Sequence, residues 1–263
     1  MNLGYHVGDV KTLEAREFLE WPDADCYQIQ VTPMNSLRLS SPDFDSCGET
    51  LVLHGPFVNS FLTNDDSKWE RAYKYLADVT EYAIRNKIKY LCFHPGGIAD
   101  NQTAEEGEER LKAFISRWHS YYCTSGVIFC LENKAGGPKD ICTCSVLKRV
   151  LEQLPDCLNV AMALDTQHSW ASGELKEVVE QWPAYRELVR VVHLNSVPLG
   201  NKYGGRKDSH SDTRLQDTDP EAKPFIDFFL QDGIIDARTP VILERDISLV
   251  EDDVLYIAKP PWE

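Results

Sequence analysis

Six short apolar stretches of this chain each end on a residue that can ligate a metal ion. They are Leu51-Val52-Leu53-His54, Tyr90-Leu91-Cys92-Phe93-His94, Val127-Ile128-Phe129-Cys130-Leu131-Glu132, Val160-Ala161-Met162-Ala163-Leu164-Asp165, Val189-Arg190-Val191-Val192-His193 and Val241-Ile242-Leu243-Glu244. A short apolar run reads as a buried strand. A His or carboxylate at its last position faces the carboxyl edge of a parallel sheet, where α/β proteins bind their ligands. Packing gives no reason for polar ends on so many separate strands; a metal centre does.

Eight segments read as strands: 2–7, 26–31, 50–54, 88–94, 126–132, 159–165, 189–194 and 240–244. Helical patterns fill most of the intervals. Residues 66–86 space Trp69, Tyr73, Leu76, Val79, Ala83 and Ile84 close to a helical period, with Asp65 or Asp66 as cap. Residues 104–119 put Leu111, Phe114, Ile115 and Trp118 on one face behind a Thr103 cap. Residues 140–153 and 248–258 behave similarly, and Asp219-Pro220 begins a further helix with Pro in its first turn. Eight strand-helix repeats in 263 residues predict an α/β fold, a (β/α)8 TIM barrel, as a single domain over 1–263. Its active site belongs at the C-terminal ends of the strands. Two loops are long, 32–49 and 195–219, and the second carries Asp208 and His210.

The formal charge of -15 argues against a generally basic nucleic-acid surface. Bound cations reverse this locally. Three divalent ions against four ligand carboxylates leave the site at about +2 and the chain at about -9. No apolar run approaches the roughly 20 residues of a membrane span. Met1-Asn2-Leu3-Gly4-Tyr5-His6 lacks the basic and apolar parts of a leader. A soluble, intracellular chain with no membrane partner is therefore expected. The eight Cys form no CxxC pair; Cys92 and Cys130 lie in predicted strands and Cys142-Thr143-Cys144 is an isolated CxC. That is the usage of reduced, structural thiols.

Nine residues are candidate ligands: His54, His94, Glu132, Asp165, His168, His193, Asp208, His210 and Glu244. Mixed imidazole and carboxylate suits Zn2+, Mn2+ or Fe2+. Each residue alone reads more simply as a hydrogen-bonded His or a capping carboxylate. The joint pattern is different, because the simple reading must then hold independently on six strands. His6 ends the first strand beside this set, and His119 reads as a helix-face residue.

Here the motifs resemble the endonuclease IV family of apurinic/apyrimidinic (AP) endonucleases, in the xylose-isomerase-like TIM-barrel superfamily. The carriers are Gly4-Tyr5-His6-Val7, His54-Gly55-Pro56-Phe57, Phe93-His94-Pro95-Gly96, Leu131-Glu132-Asn133-Lys134-Ala135-Gly136, Leu164-Asp165-Thr166-Gln167-His168, His193-Leu194-Asn195 and Gly205-Arg206-Lys207-Asp208-Ser209-His210. The resemblance runs nearly end to end. It implies a zinc-dependent hydrolase of base excision repair that cuts the phosphodiester 5′ to an abasic site in duplex DNA. The products would be a 3′-hydroxyl and a 5′-deoxyribose phosphate, formed by attack of a metal-bound hydroxide. The resemblance implies three Zn2+ per chain, with Mn2+ or Fe2+ able to substitute. His54, His94 and Glu132 would hold the first ion. Glu132 would bridge to a second, held also by Asp165, His193 and Glu244, and His168, Asp208 and His210 would hold the third. Double-stranded DNA is the implied partner, and a monomer is expected. Phe57 is a candidate minor-groove wedge or a rim packing residue. Arg38, Asn59, Lys134, Arg206 and Lys207 are candidate phosphate contacts.

The chain departs from the family after His193-Leu194-Asn195, where Ser196-Val197-Pro198 stands in place of Asp-Ser-Lys. Ser209 replaces an Arg, and Ser211-Asp212-Thr213-Arg214-Leu215 replaces a Gly-containing segment. These changes spare the ligands and alter a substrate-facing loop. The alternative reading is a xylose-isomerase-like sugar isomerase or epimerase, which needs only a one-metal site of Glu132, Asp165, His193 and Glu244. A lesion-binding module without turnover is a second rival, and it gives no reason for nine ligands.

Overall fold

The computed structural model describes residues 1–6, 24–31, 50–55, 60–207, 213–245 and 247–258. Five of the expected site residues, Arg38, Phe57, Asn59, Asp208 and His210, lie outside the described residues.

All eight expected strands form: β1 (Asn2–His6), β2 (Cys26–Gln30), β3 (Thr50–His54), β4 (Tyr90–Phe93), β5 (Ile128–Glu132), β6 (Val160–Asp165), β7 (Val189–His193) and β8 (Pro240–Leu243). Each pairs in parallel with the next, and β8 pairs with β1, so the sheet closes as a TIM barrel. The intervening helices are α1 (Asp66–Arg85), α2 (Ala104–Tyr122), α3 (Cys144–Glu152), α4 (Thr166–Ser172), α5 (Leu175–Glu180), α6 (Trp182–Arg186), α7 (Lys223–Phe228) and α8 (Ile247–Ala258). Among the described residues, no helix is long and apolar enough to cross a membrane.

Strand alternation assigns the two faces. Outward residues such as Ile29, Leu53, Leu91, Phe129, Leu164 and Val192 join the core beneath the helices. Inward residues Cys26, Val52, Cys92, Cys130, Ala163, Val191 and Ile242 form a separate interior cluster. Gly4 completes this layer on β1, where a Cβ would lie 1.9 Å from the Cys26 carbonyl oxygen. Two residues further along each strand, the next inward positions are His6, Gln28, His54, His94, Glu132, Asp165, His193 and Glu244. A layer of small apolar side chains therefore floors a layer in which every strand supplies a polar one.

The outer shell fixes the strand ends in place. Phe61 stacks on Phe114 of α2 at 4.1 Å and contacts Phe93 and Phe129. Asp65 caps α1 by accepting from Lys68 N, and Thr103 and Glu106 form a reciprocal capping box on α2. Two helices start later than expected. The 140–153 pattern becomes helix only at Cys144, because the Cys142 carbonyl accepts from Lys134 N in the preceding loop. Asp219-Pro220 lies in a turn, and α7 begins at Lys223 with Pro224 in its first turn. Cys26, Cys92, Cys130, Cys142 and Cys144 are buried free thiols. Burial pushes the Cys142 and Cys144 thiols up, which keeps them unreactive.

Candidate metal centre

Glu132 is the hub of the polar layer and is fully buried. Its Oε2 lies 2.7 Å from His54 Nε2 and 3.3 Å from His94 Nε2. Its Oε1 lies 3.2 Å from His193 Nδ1 and 3.4 Å from His168 Nδ1. Glu244 Oε2 approaches the same His193 nitrogen at 3.3 Å. Asp165 both ends β6 and caps α4, its Oδ1 accepting from His168 N at 2.6 Å. His94 and Glu244 stand one residue beyond β4 and β8 rather than in their last positions.

Donor atoms within 4.8 Å of one another form three overlapping groups among the described residues: His54, His94 and Glu132; His54, His193 and Glu244; and Glu132, Asp165, His193 and Glu244. His168 sits against Glu132, while Asp208 and His210, expected beside it, lie outside the described residues.

The donor chemistry fits a cation. The Gly55 carbonyl, 2.8 Å from His54 Nδ1, can only accept, so Nδ1 carries a hydrogen and, in the neutral ring, Nε2 is the lone-pair nitrogen, 2.7 Å from Glu132 Oε2. The Asn133 carbonyl takes Nδ1 of His168 at 2.9 Å in the same manner, leaving the lone pair on Nε2. Metal-ligating imidazoles are commonly oriented in this way. Among the described residues, Glu132 Oε1 and His193 Nδ1 are buried without a hydrogen bond. Lone pairs facing carboxylates in a dry site need positive charge between them, supplied by extra protons or by metal ions.

Without an ion, protons take that role. Burial pulls His193 down, but Glu244, Glu132 and Asp165 outweigh it and push its pKa up to about 9. Burial would raise the Glu132 carboxyl, yet His94 and His193 hold it well below the ordinary carboxylate value. Burial keeps His94 well below the ordinary imidazole value and takes His6 down to about 4.

Three buried carboxamides, to which the sequence reading gave no role, hold the acidic ligands. Asn195 Nδ2 donates to Asp165 Oδ2 at 2.6 Å, and Asn133 Oδ1 accepts from Asp165 N at 2.7 Å. Gln28 on β2 touches both His193 and Glu244. A sequence signal for Gln28 exists: it lies two residues after Cys26, at the inward position.

A family model describing xylose isomerase-like TIM barrels matches residues 44–238. The chain belongs to the xylose isomerase-like TIM barrel family. Curated relatives of this barrel include a protein of Mycoplasmoides gallisepticum named "Probable endonuclease 4", 26% identical over 180 residues. That match covers 66% of this chain and only 58% of the relative. A Mycobacterium tuberculosis protein of the same name is 24% identical over 264 residues, covering 98% of each. Among solved structures, endonuclease IV from Thermus thermophilus superposes with a TM-score of 0.70 at 20% identity, over 98% of both chains. A D-tagatose 3-epimerase-like protein superposes at 0.73 with 16% identity, also over 98% of both. At such identities the structures show the shared fold alone.

On this xylose isomerase-like barrel the described candidate phosphate contacts, Lys134, Arg206 and Lys207, are more exposed than the ligand cluster. Lys134 is half-buried and near enough to depress the His94 pKa. Arg206 and Lys207 are exposed, and the Lys207 carbonyl accepts from Gln167 Nε2 at 2.8 Å. A cavity of about 320 Å³ opens at the opposite end of the barrel, lined by Lys89, Tyr90, Trp182, Arg186, Arg190 and Arg238 among others. It contains none of the ligand groups, and barrel catalysis sits at the C-terminal face, so the polar layer is the candidate site.

Proposed function

We propose that this protein is a metal-dependent AP endonuclease of the endonuclease IV type, hydrolysing the phosphodiester 5′ to an abasic site in duplex DNA. The observation that carries the reading is the position of Glu132. One carboxylate oxygen faces His54 and His94, and the other faces His193 within the group that includes Asp165 and Glu244. A carboxylate shared between two donor groups is what a bridging ligand requires. In this reading His54, His94 and Glu132 hold one zinc ion, Glu132, Asp165, His193 and Glu244 a second, and His168, Asp208 and His210 a third. Bound there, the ions would polarise the phosphate and make water acidic enough to react near neutral pH.

The chain's own residues supply orientation and exclusion. The layer of apolar side chains closes the barrel beneath the site, and carbonyls and carboxamides orient His54, His168, His193, Asp165 and Glu244. Lys134, Arg206 and Lys207, with Arg38 and Asn59, are assigned to DNA phosphates, and Phe57 to a wedge in the minor groove. The endonuclease 4 names of the curated relatives support the assignment.

The test is incubation with an end-labelled duplex carrying one abasic analogue, with the cut mapped and metal counted on the same preparation. Incision 5′ to the lesion with about three metals per chain is expected. Glu132→Gln is expected to reduce incision by more than about a hundredfold with an unchanged circular dichroism spectrum. Full activity of that variant would remove Glu132 from the bridging role. The second reading, a sugar isomerase or epimerase using Glu132, Asp165, His193 and Glu244, is favoured by the compactness of that group. No incision with one metal per chain would move the assignment there.

A further inference from the structure

We propose that Gln28 is a positioning residue that makes His193 ligate through Nδ1 and Glu244 through Oε2. The inference rests on reading these two residues as metal ligands. Gln28 is fully buried on β2, a strand that contributes no ligand. Its Nε2 donates to Glu244 Oε1, and its Oε1 lies 2.8 Å from His193 Nε2. The orientation of the amide follows from its partners. An ionised carboxylate only accepts, so the atom facing Glu244 must be the NH2 group; the flipped amide would set two acceptors against each other. Gln28 Oε1 then meets His193 Nε2 and requires a hydrogen there.

That hydrogen has a consequence on the far side of the ring. With Nε2 protonated, the ligating lone pair belongs to Nδ1. This is the nitrogen that lies 3.2 Å from Glu132 Oε1 and 3.3 Å from Glu244 Oε2. The same amide occupies Glu244 Oε1, so Oε2 is left to face Nδ1. One side chain thus sets the ligating atom of two residues on β7 and beyond β8. Asn195 Nδ2 supports the arrangement from the other side, 2.6 Å from Asp165 Oδ2 and 3.5 Å from Glu244 Oε2.

Two substitutions separate the two contacts. Gln28→Leu removes both. Gln28→Glu keeps an acceptor for His193 Nε2 but sets a carboxylate against Glu244. The readouts are zinc affinity, by competition with a chromophoric chelator, and 15N NMR of the histidine rings in the zinc-loaded protein. The wild type should show His193 bound through Nδ1 with an exchange-protected Nε2 hydrogen. Gln28→Leu should lose that protection and bind zinc about 10–100-fold more weakly. Gln28→Glu should keep the protected hydrogen and still bind zinc more weakly. Coordination through Nε2 in the wild type would overturn the proposal. So would a folded Gln28→Leu protein with zinc affinity within about twofold of wild type and an unchanged His193 spectrum. Should Gln28→Leu fail to fold, the wild-type and Gln28→Glu spectra decide. Absence of abasic-site incision alongside these shifts would overturn the endonuclease reading and leave this one standing; no zinc at His193 would overturn both.

Discussion

Four imidazole nitrogens lie within 3.4 Å of the Glu132 carboxylate oxygens. In the metal-free protein such a site is stable only when its protons are distributed correctly, and opposite shifts on different histidines make that testable. His193 has its pKa raised from 6.5 to about 9. Between those values the folded state holds the proton more tightly than the unfolded one, so stability is full below 6.5 and falls as pH rises toward 9. His6 is lowered from 6.5 to about 4, and His94 is lowered too. For these the unfolded state binds protons more tightly, so stability falls as pH drops below 6.5. Urea denaturation of the chelator-treated protein from pH 4 to 9.5 should therefore show a maximum near 6.5. The His193 share of the alkaline limb is at most about 3 kcal/mol. His193→Asn should flatten that limb and leave the acidic one. A stability curve still rising from pH 6.5 to 9 would mean that His193 is not held charged.

At the level of elements, all eight strands were legible within a residue or two of their ends, β3–β8 because fully buried parallel strands are nearly continuous apolar runs. The polar strand ends were legible for the same reason: Glu132 and Asp165 interrupt sequences that are otherwise apolar. Gln28 was not, since Cys26-Tyr27-Gln28-Ile29-Gln30 alternates like a half-exposed strand, and only barrel closure turns Gln28 inward. Helix starts were legible where a side chain caps them and missed where a backbone carbonyl decides, as Cys142 does before α3. Thr103→Ala should remove the capping box of α2 and cost about 1 kcal/mol, lowering the melting midpoint by about 2–4 °C. Glu106→Gln should preserve the box and the midpoint. The most demanding inter-element link escaped the sequence reading altogether. Arg245, fully buried after β8, pairs with Asp253 of α8 at 2.6 Å and donates to the Leu194 and Thr213 carbonyls. Asp253 also accepts from Leu215 N at 2.7 Å, so the pair ties the residues after β8, α8, the end of β7 and the 213–215 part of the 195–219 loop together. Asp253→Ala strands a buried guanidinium and should cost about 3–5 kcal/mol in chemical denaturation. A loss below about 1 kcal/mol would show that water reaches Arg245.

For the whole molecule, the charge of -15 and the convergence of Glu132, Asp165 and Glu244 on a buried site add to the same self-repulsion. The chain is self-repelling overall, and among the described residues Glu132, Asp165 and Glu244 gather inside the barrel, where low exposure weakens solvent screening. Divalent ions relieve both terms at once, so metal occupancy should appear as global stability and not only as activity. A ligand that binds only the folded state adds RT ln(1 + [L]/Kd), about 2.7 kcal/mol at a hundredfold excess over Kd. At roughly 2–4 °C per kcal/mol for a chain near this size, chelation should lower the melting midpoint by about 5–11 °C. The shift should reverse on adding back Zn2+ and should shrink in Glu132→Gln, whose loss of a shared carboxylate charge weakens both donor groups. Because the site fills in the folded state alone, the midpoint should also climb with free metal concentration after the sites are saturated. Differential scanning calorimetry over a zinc series measures that slope directly. A midpoint that ignores chelator and metal alike would leave the polar layer as a proton-stabilised network with no ion in it.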